Sequence, residues 1–265
     1  MEHVLHQLEL PGDQSARRHN VRQMPLDRRR ATADEIDYLR VASVPLDKAL
    51  LRRNRVLTGH EPEAARIAYR LLRTQVLQRC RENRWNTLAV TTPSRGAGST
   101  LTAINLAISL AREIAYTVVL VDANLRSPGV LSCLGLPERP GLSEYLTDLI
   151  PVEPLMIRPY YLEDLVVLPG GQAVDNATEL LDSPKMHRLV SDLKASADKC
   201  IIVFDLPPML EGDETLAFAP CLDAALMVIE DGVTKRRDIA RAMELLGVTN
   251  ILGTVMNKAG GDAWR

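Results

Sequence analysis

Two hydrophobic periods divide this chain. Short apolar runs recur at "TLAVTT", "YTVVLVDA", "LVVLPGG", "CIIVFDLPP", "DAALMVIED" and "NILGTVMNKAG". Between them lie segments of helical period: the stretch from about Thr100, "SPKMHRLVSDLKAS" and "TKRRDIARAMELLG". Upstream, "EPEAARIAYRLLRTQVLQRCREN" sets Ala64, Ile67, Ala68, Leu71, Leu72 and Val76 at helical spacing, with Arg66, Arg70 and Arg73 on another face. Near-continuous apolar strands that alternate with helices specify a mainly parallel sheet covered on both faces, because each crossover helix must pack back on the sheet. The fold class is therefore α/β in three layers. Strands are expected over Thr87–Thr92, Val118–Asp122, Cys200–Asp205, Ala224–Ile229 and Ile251–Asn257, with ligands beyond their carboxyl ends.

Composition adds limits. With 265 residues, 46% of them hydrophobic, the chain can bury one large domain and still carry an extension. No apolar run approaches the roughly 18 to 20 residues that span a bilayer. The opening "MEHVLHQLELPGDQ" lacks a signal peptide's basic and apolar regions, so a cytoplasmic protein is expected. Cys80, Cys133, Cys200 and Cys221 are widely spaced and form no CxxC pair, which indicates reduced core cysteines rather than a zinc site or a disulfide framework. The net charge of −2 hides an asymmetry: residues 1–60 carry +3 and the remainder −5. Residues 1–60, with "ARRHNVRQ", "LDRRRATADE" and "LLRRNR", read as a basic, largely disordered arm with one short helix near Ala33 to Val41, and residues 61–265 as the folded domain. Basic runs of this kind are usually solvated, and nucleic acid is not expected as a partner.

The strand ends carry the candidate chemistry. The first long strand runs into "PSRGAGST", whose Gly96, Ala97 and Gly98 lead to Ser99 and Thr100 at a helix start. Two later strands end at Asp122 and Asp205. Loop amides and a helix N-terminus hold phosphate oxygens, a hydroxyl such as that of Thr100 holds magnesium, and strand-end aspartates orient the metal's waters or take a proton. Taken singly, each part has a structural reading as a turn, an N-cap or a loop carboxylate. Their occurrence together on one alternating chain points to a phosphate site.

At these residues the chain resembles a known family. "GAGSTLTAINLA", "VVLVDANLRSP", "IIVFDLPP" and "GTVMNKA" are similar to the Walker A, Walker A′ and Walker B motifs and the adenine-side strand of bacterial tyrosine kinases (BY-kinases), which belong to the ParA/MinD-like P-loop ATPases. "AYRLLRTQV", "PGLSEYL" and "NATELLDSPKM" also resemble family segments, so the likeness runs over about residues 60–259. It implies a P-loop NTPase fold and a role in capsule or exopolysaccharide export. It also implies ATP or ADP with Mg2+ as cofactors. The corresponding nucleotide-binding positions are Arg95, Gly96, Ala97, Gly98, Ser99, Thr100 and Asn257; Thr100, Asp122 and Asp205 are the metal positions; and Asp122, Asn124, Arg126 and Asp205 are the catalytic ones.

Departures from the family pattern cluster in this machinery. Ser99 stands where the phosphate-clamping lysine belongs, Asn124 replaces the second aspartate of Walker A′, and Pro93 takes the place of the general first glycine. Arg70 and Arg73 match the family's assembly segment, but Ile67 occupies its glutamate position, which weakens the case for ring-type homo-oligomers. The family's tyrosine-rich tail has no counterpart, since the last tyrosine is Tyr161. A charge-assisted hydrogen bond contributes about 1.5–3 kcal/mol, so the lost lysine weakens binding about 10- to 150-fold. Loss of a preorganised cation costs a further ~10²–10³ in rate. The resemblance thus implies a cytoplasmic binding or regulatory component, recruited to the inner membrane face by a membrane-embedded polysaccharide co-polymerase. The alternatives are an active ATPase or autokinase in which Arg95 or Arg126 substitutes for the lysine, and a ParA/MinD-like positioning ATPase.

Overall fold

The computed structural model describes residues 38, 41–113, 117–148, 150–160, 162, 164–195 and 200–259. The strands are β1 (Ala42–Val44), β2 (Thr87–Thr91), β3 (Thr117–Asp122), β4 (Ile157–Pro159), β5 (Leu165–Leu168), β6 (Cys200–Asp205), β7 (Ala224–Glu230) and β8 (Asn250–Asn257). The helices are α1 (Lys48–Arg53), α2 (Glu63–Asn83), α3 (Ser99–Ala111), α4 (Val130–Leu134), α5 (Leu142–Thr147), α6 (Ala177–Leu181), α7 (Pro184–Ala195), α8 (Glu214–Phe218) and α9 (Arg236–Leu245). Among the described residues these strands form one sheet, in the order β1-β4-β5-β3-β6-β2-β7-β8. Every described pairing is parallel except β4 with β5.

The continuous apolar runs lie at the sheet's centre, as a strand covered on both faces requires. Residues of β2 and β6 are buried throughout, and those of β3 from Val118 onward. Alternation along the strands assigns each side chain to a layer. Leu88, Val90, Leu120 and Val203 pack with Ala103, Ile104 and Val76 of α3 and α2 on one face. Val119, Val121, Ile202 and Phe204 pack with Leu189, Leu193 and Phe218 of α7 and α8 on the other. The three-layer α/β fold is therefore as expected, and α3, buried from Thr102 to Ala111, is the most enclosed helix.

Residues 41–60 correct the expected boundary. They pack with the fold rather than standing apart from it. β1 pairs with β4 at the sheet edge, Asp47 caps α1 by accepting from the amides of Ala49 and Leu50, and Leu51, Val56 and Leu57 are buried. The buried side chain of Asn105 on α3 clamps this segment. Its Oδ1 accepts from the Leu57 amide at 2.9 Å and its Nδ2 donates to the Arg55 carbonyl at 3.0 Å. The basic residues of the segment are solvated while the apolar ones between them reach the core, in pieces too short to show a period. The expected helix near Ala33 to Val41 lies mostly outside the described residues.

Candidate functional site

Asp122 and Asp205 end adjacent strands and are direct partners in the parallel register of β3 and β6. β2 lies on the other side of β6, so the loop that follows it rises beside Asp205. Strand order alone thus gathers the three sequence-predicted parts at one edge.

The phosphate loop depends on two left-handed glycines, Gly96 (φ +92°) and Gly98 (φ +86°), a conformation that side chains with a Cβ avoid. Gly98 is the N-cap of α3 and offers no side-chain acceptor, so the first amides of a 13-residue helix face outward as an anion site. Thr102 ties down the cap carbonyl through both its amide (3.0 Å) and its hydroxyl (2.9 Å). Asn257, at the end of β8, donates Nδ2 to the carbonyl of buried Ala97 at 2.8 Å. A Cβ at Gly98 would stand 2.4 Å from that same Nδ2. Asn257 therefore braces the loop, and it also lines a groove of about 670 Å3 with Gly98, Leu101, Tyr69 and Arg55. Ser99 and Thr100 open the helix and are half-buried.

The two aspartates differ in their partners. Asp122 Oδ2 accepts from the amides of Gly129 and Val130, both at 2.9 Å, and Oδ1 from the Asn124 amide at 3.3 Å. Asp122 thus holds the loop that brings Asn124 and Arg126 to the site. Burial pushes its pKa up to about 6, while these three amides oppose the rise. Asp205 is fully buried, and neither carboxylate oxygen has a hydrogen-bond partner. Desolvation first and the Asp122 charge second raise its pKa well above the ordinary range. The Thr100 hydroxyl lies close enough to oppose that rise without reaching hydrogen-bond geometry.

An orphaned buried carboxylate beside a threonine hydroxyl fits a hard divalent cation. Thr100 and Asp205 would hold Mg2+, which when bound would supply positive charge to phosphate oxygens. Among the described residues no cluster of three or more His, Cys, Asp or Glu side chains could hold a metal unaided.

Both candidate substitute cations already have anionic partners. The Arg95 guanidinium pairs with Glu211, which also accepts the Arg95 amide at 3.0 Å. Arg126 pairs with Glu214, whose side chain is only 2% exposed, and this contact raises the arginine's pKa. Lys258, at the rim of the groove, pairs with Glu230 at 3.1 Å. Sequence reasoning missed Glu211 and Glu214. The acidic "EGDE" just beyond "DLPP" was the available signal. It also missed Arg55, which had been assigned to the arm.

No family model matches the chain. It is similar to tyrosine-protein kinase YwqD of Bacillus subtilis (strain 168), with 30% identity over 78% of this chain and 90% of YwqD. It is also similar to succinoglycan biosynthesis transport protein ExoP of Rhizobium meliloti (strain 1021), with 30% identity over 64% of this chain but only 22% of ExoP. The kinase domain of Escherichia coli tyrosine kinase ETK superposes with a TM-score of 0.67 at 25% identity, covering 83% of this chain and 91% of that domain. Cobyrinic acid a,c-diamide synthase from Mycobacterium smegmatis, solved with an ATP analog and magnesium, shares the fold alone, at TM-score 0.54 and 20% identity over 65% of this chain and 74% of the synthase. The likeness to YwqD extends across nearly the whole of that kinase, and this chain therefore belongs to the bacterial tyrosine kinase family of P-loop ATPases, with a degenerate Walker A loop.

Proposed function

We propose that this chain is a cytoplasmic component of exopolysaccharide biosynthesis or export that binds ATP or ADP with Mg2+ weakly. In this reading it transfers phosphoryl groups slowly or not at all, and works by binding and regulation. One observation carries the proposal. A glycine loop opens onto an uncapped helix start, yet residue 99 is serine, and Arg95 in that loop and Arg126 in the neighbouring one are paired with Glu211 and Glu214. Loop, helix start, Asn257 and Asp205 support nucleotide binding, whereas no free cation takes the lysine's place among Arg95, Arg126 and Lys258.

ExoP is a succinoglycan biosynthesis transport protein, in which a region similar to this chain occupies a small part of a longer protein. A separate membrane-embedded co-polymerase would supply the remaining part here and hold this chain at the inner membrane face. None of the described helices is long and apolar enough to cross a membrane.

Calorimetric titration with ATP·Mg tests the reading. Ser99→Lys would place an ammonium at the start of α3, and tighter binding by at least about tenfold is expected, the lower end of a charge-assisted contact. Turnover should rise less until Asn124→Asp is added, because groups that act on one transition state are not additive. Micromolar binding by the unmodified protein, unchanged in Ser99→Lys, would show that another cation has taken the lysine's role.

A further inference from the structure

We propose that Glu211 and Glu214 are positioning residues of the nucleotide site: they form an acidic latch that holds Arg95 and Arg126 and is exchanged for phosphate when nucleotide binds. The inference rests on the nucleotide reading above and adds a means of controlling it.

Its basis is a convergence of three loops. Arg95 precedes Gly96 in the phosphate loop, and Arg126 lies in the loop that Asp122 holds. Both glutamates come from the single segment that follows Asp205. That segment is fastened along the phosphate loop's own backbone. Met209 donates its amide to the Thr92 carbonyl at 2.8 Å, Leu210 donates to the Pro93 carbonyl at 3.1 Å, and Thr91 Oγ1 donates to the Pro207 carbonyl at 2.7 Å. A change in the phosphate loop is therefore transmitted to the glutamates directly.

Glu211 also behaves as a ligand would. Its carboxylate takes a backbone amide of the loop together with the guanidinium, the donor types that such loops present to anions. Asp175 and Asp213 add negative charge around Arg126. In this arrangement the arginines are spent on carboxylates of the protein itself, and an incoming polyphosphate must compete for them. Arginine's planar fork pairs equally well with phosphate, so exchange needs no new donor.

The sign of the effect separates a latch from a brace. Glu211→Gln retains shape and an acceptor oxygen but removes the competing charge. Titrated with ATP·Mg, it should bind about two- to fivefold more tightly than the unmodified protein, in keeping with a half-exposed pair. The buried partner's variant, Glu214→Gln, should show a larger gain, and salt should diminish both. The gain from Glu211→Gln should vanish in an Arg95→Ala background, since the two act as one pair. Weaker or unchanged binding in Glu211→Gln would overturn the latch and leave the nucleotide reading standing. Absence of binding in the unmodified protein and in Ser99→Lys alike would overturn both.

Discussion

Asp205→Asn should stabilise the protein in a manner that depends on pH. A carboxylate with an ordinary unfolded pKa near 4 is here fully buried with both oxygens unpartnered, and its folded pKa is raised by desolvation and by Asp122. Between the two pKa values the folded state holds more protons than the unfolded one, so stability is full below about pH 4 and falls as pH rises through the folded value. Asp122 gives the scale. Its rise from 3.8 to about 6 corresponds to about 3 kcal/mol. Asp205 is equally buried, repelled by Asp122 and opposed only by Thr100, so its cost is at least comparable.

An asparagine removes the charge and keeps the shape, but its buried amide still lacks partners, which returns roughly 1–2 kcal/mol. The expected net gain at pH 8 is about 1–2 kcal/mol, or roughly 2–8 °C in Tm for a domain of this size. The gain should shrink or reverse as pH falls toward the ordinary carboxylate range, where the buried carboxyl takes up its proton. Thermal melts of both proteins from pH 5 to 8 decide the matter. Mg2+ should narrow the difference by stabilising only the carboxylate form. Equal destabilisation of the variant at both ends of the range would refute the account of Asp205 as an orphaned charge.

Other substitutions test the scaffold. Gly98→Ala places a Cβ 2.4 Å from Asn257 Nδ2 at φ +86°, and should cost about 1–2 kcal/mol in backbone strain as well as the brace on Ala97, read as a lower Tm and weaker ATP·Mg binding. Asn105→Ala strands the Leu57 amide and the Arg55 carbonyl, and should cost roughly 2–4 kcal/mol in urea unfolding. A silent result there would show that the Asn105 contacts do not hold residues 41–60 to the fold.

The sheet was legible because its central strands are unbroken apolar runs ending in chemistry-bearing residues. Asp122 and Asp205 could be placed at one edge from the strand-end rule alone, and they proved to be register partners. β1 was not legible: a three-residue strand at the sheet edge, part exposed, shows no period, and only pairing with β4 across more than a hundred residues makes it a strand. The arginine partners were hidden for a related reason. Arg95 and Glu211 are 116 positions apart, and Arg126 and Glu214 are 88 apart, separations at which no local pattern survives. Sequence could show that a lysine was missing. It could not show that the nearest substitutes were already engaged.

These two facts bear on each other through the charge around the cradle. A phosphate loop that keeps its lysine offsets the buried aspartates with a fixed cation. Here the same edge holds Asp122, Asp205, Glu211 and Glu214 against two guanidinium groups, both turned to the glutamates. A bare polyphosphate would therefore meet guanidinium groups already paired with carboxylates, and the helix N-terminus, about half an elementary charge, adds only modest attraction. A nucleotide that brings its own divalent cation meets different conditions, because Asp205 gains a partner for oxygens that have none. In the proposed reading the loop would therefore favour the metal-bound nucleotide for a reason independent of catalysis: the cation absent at position 99 would arrive with the ligand.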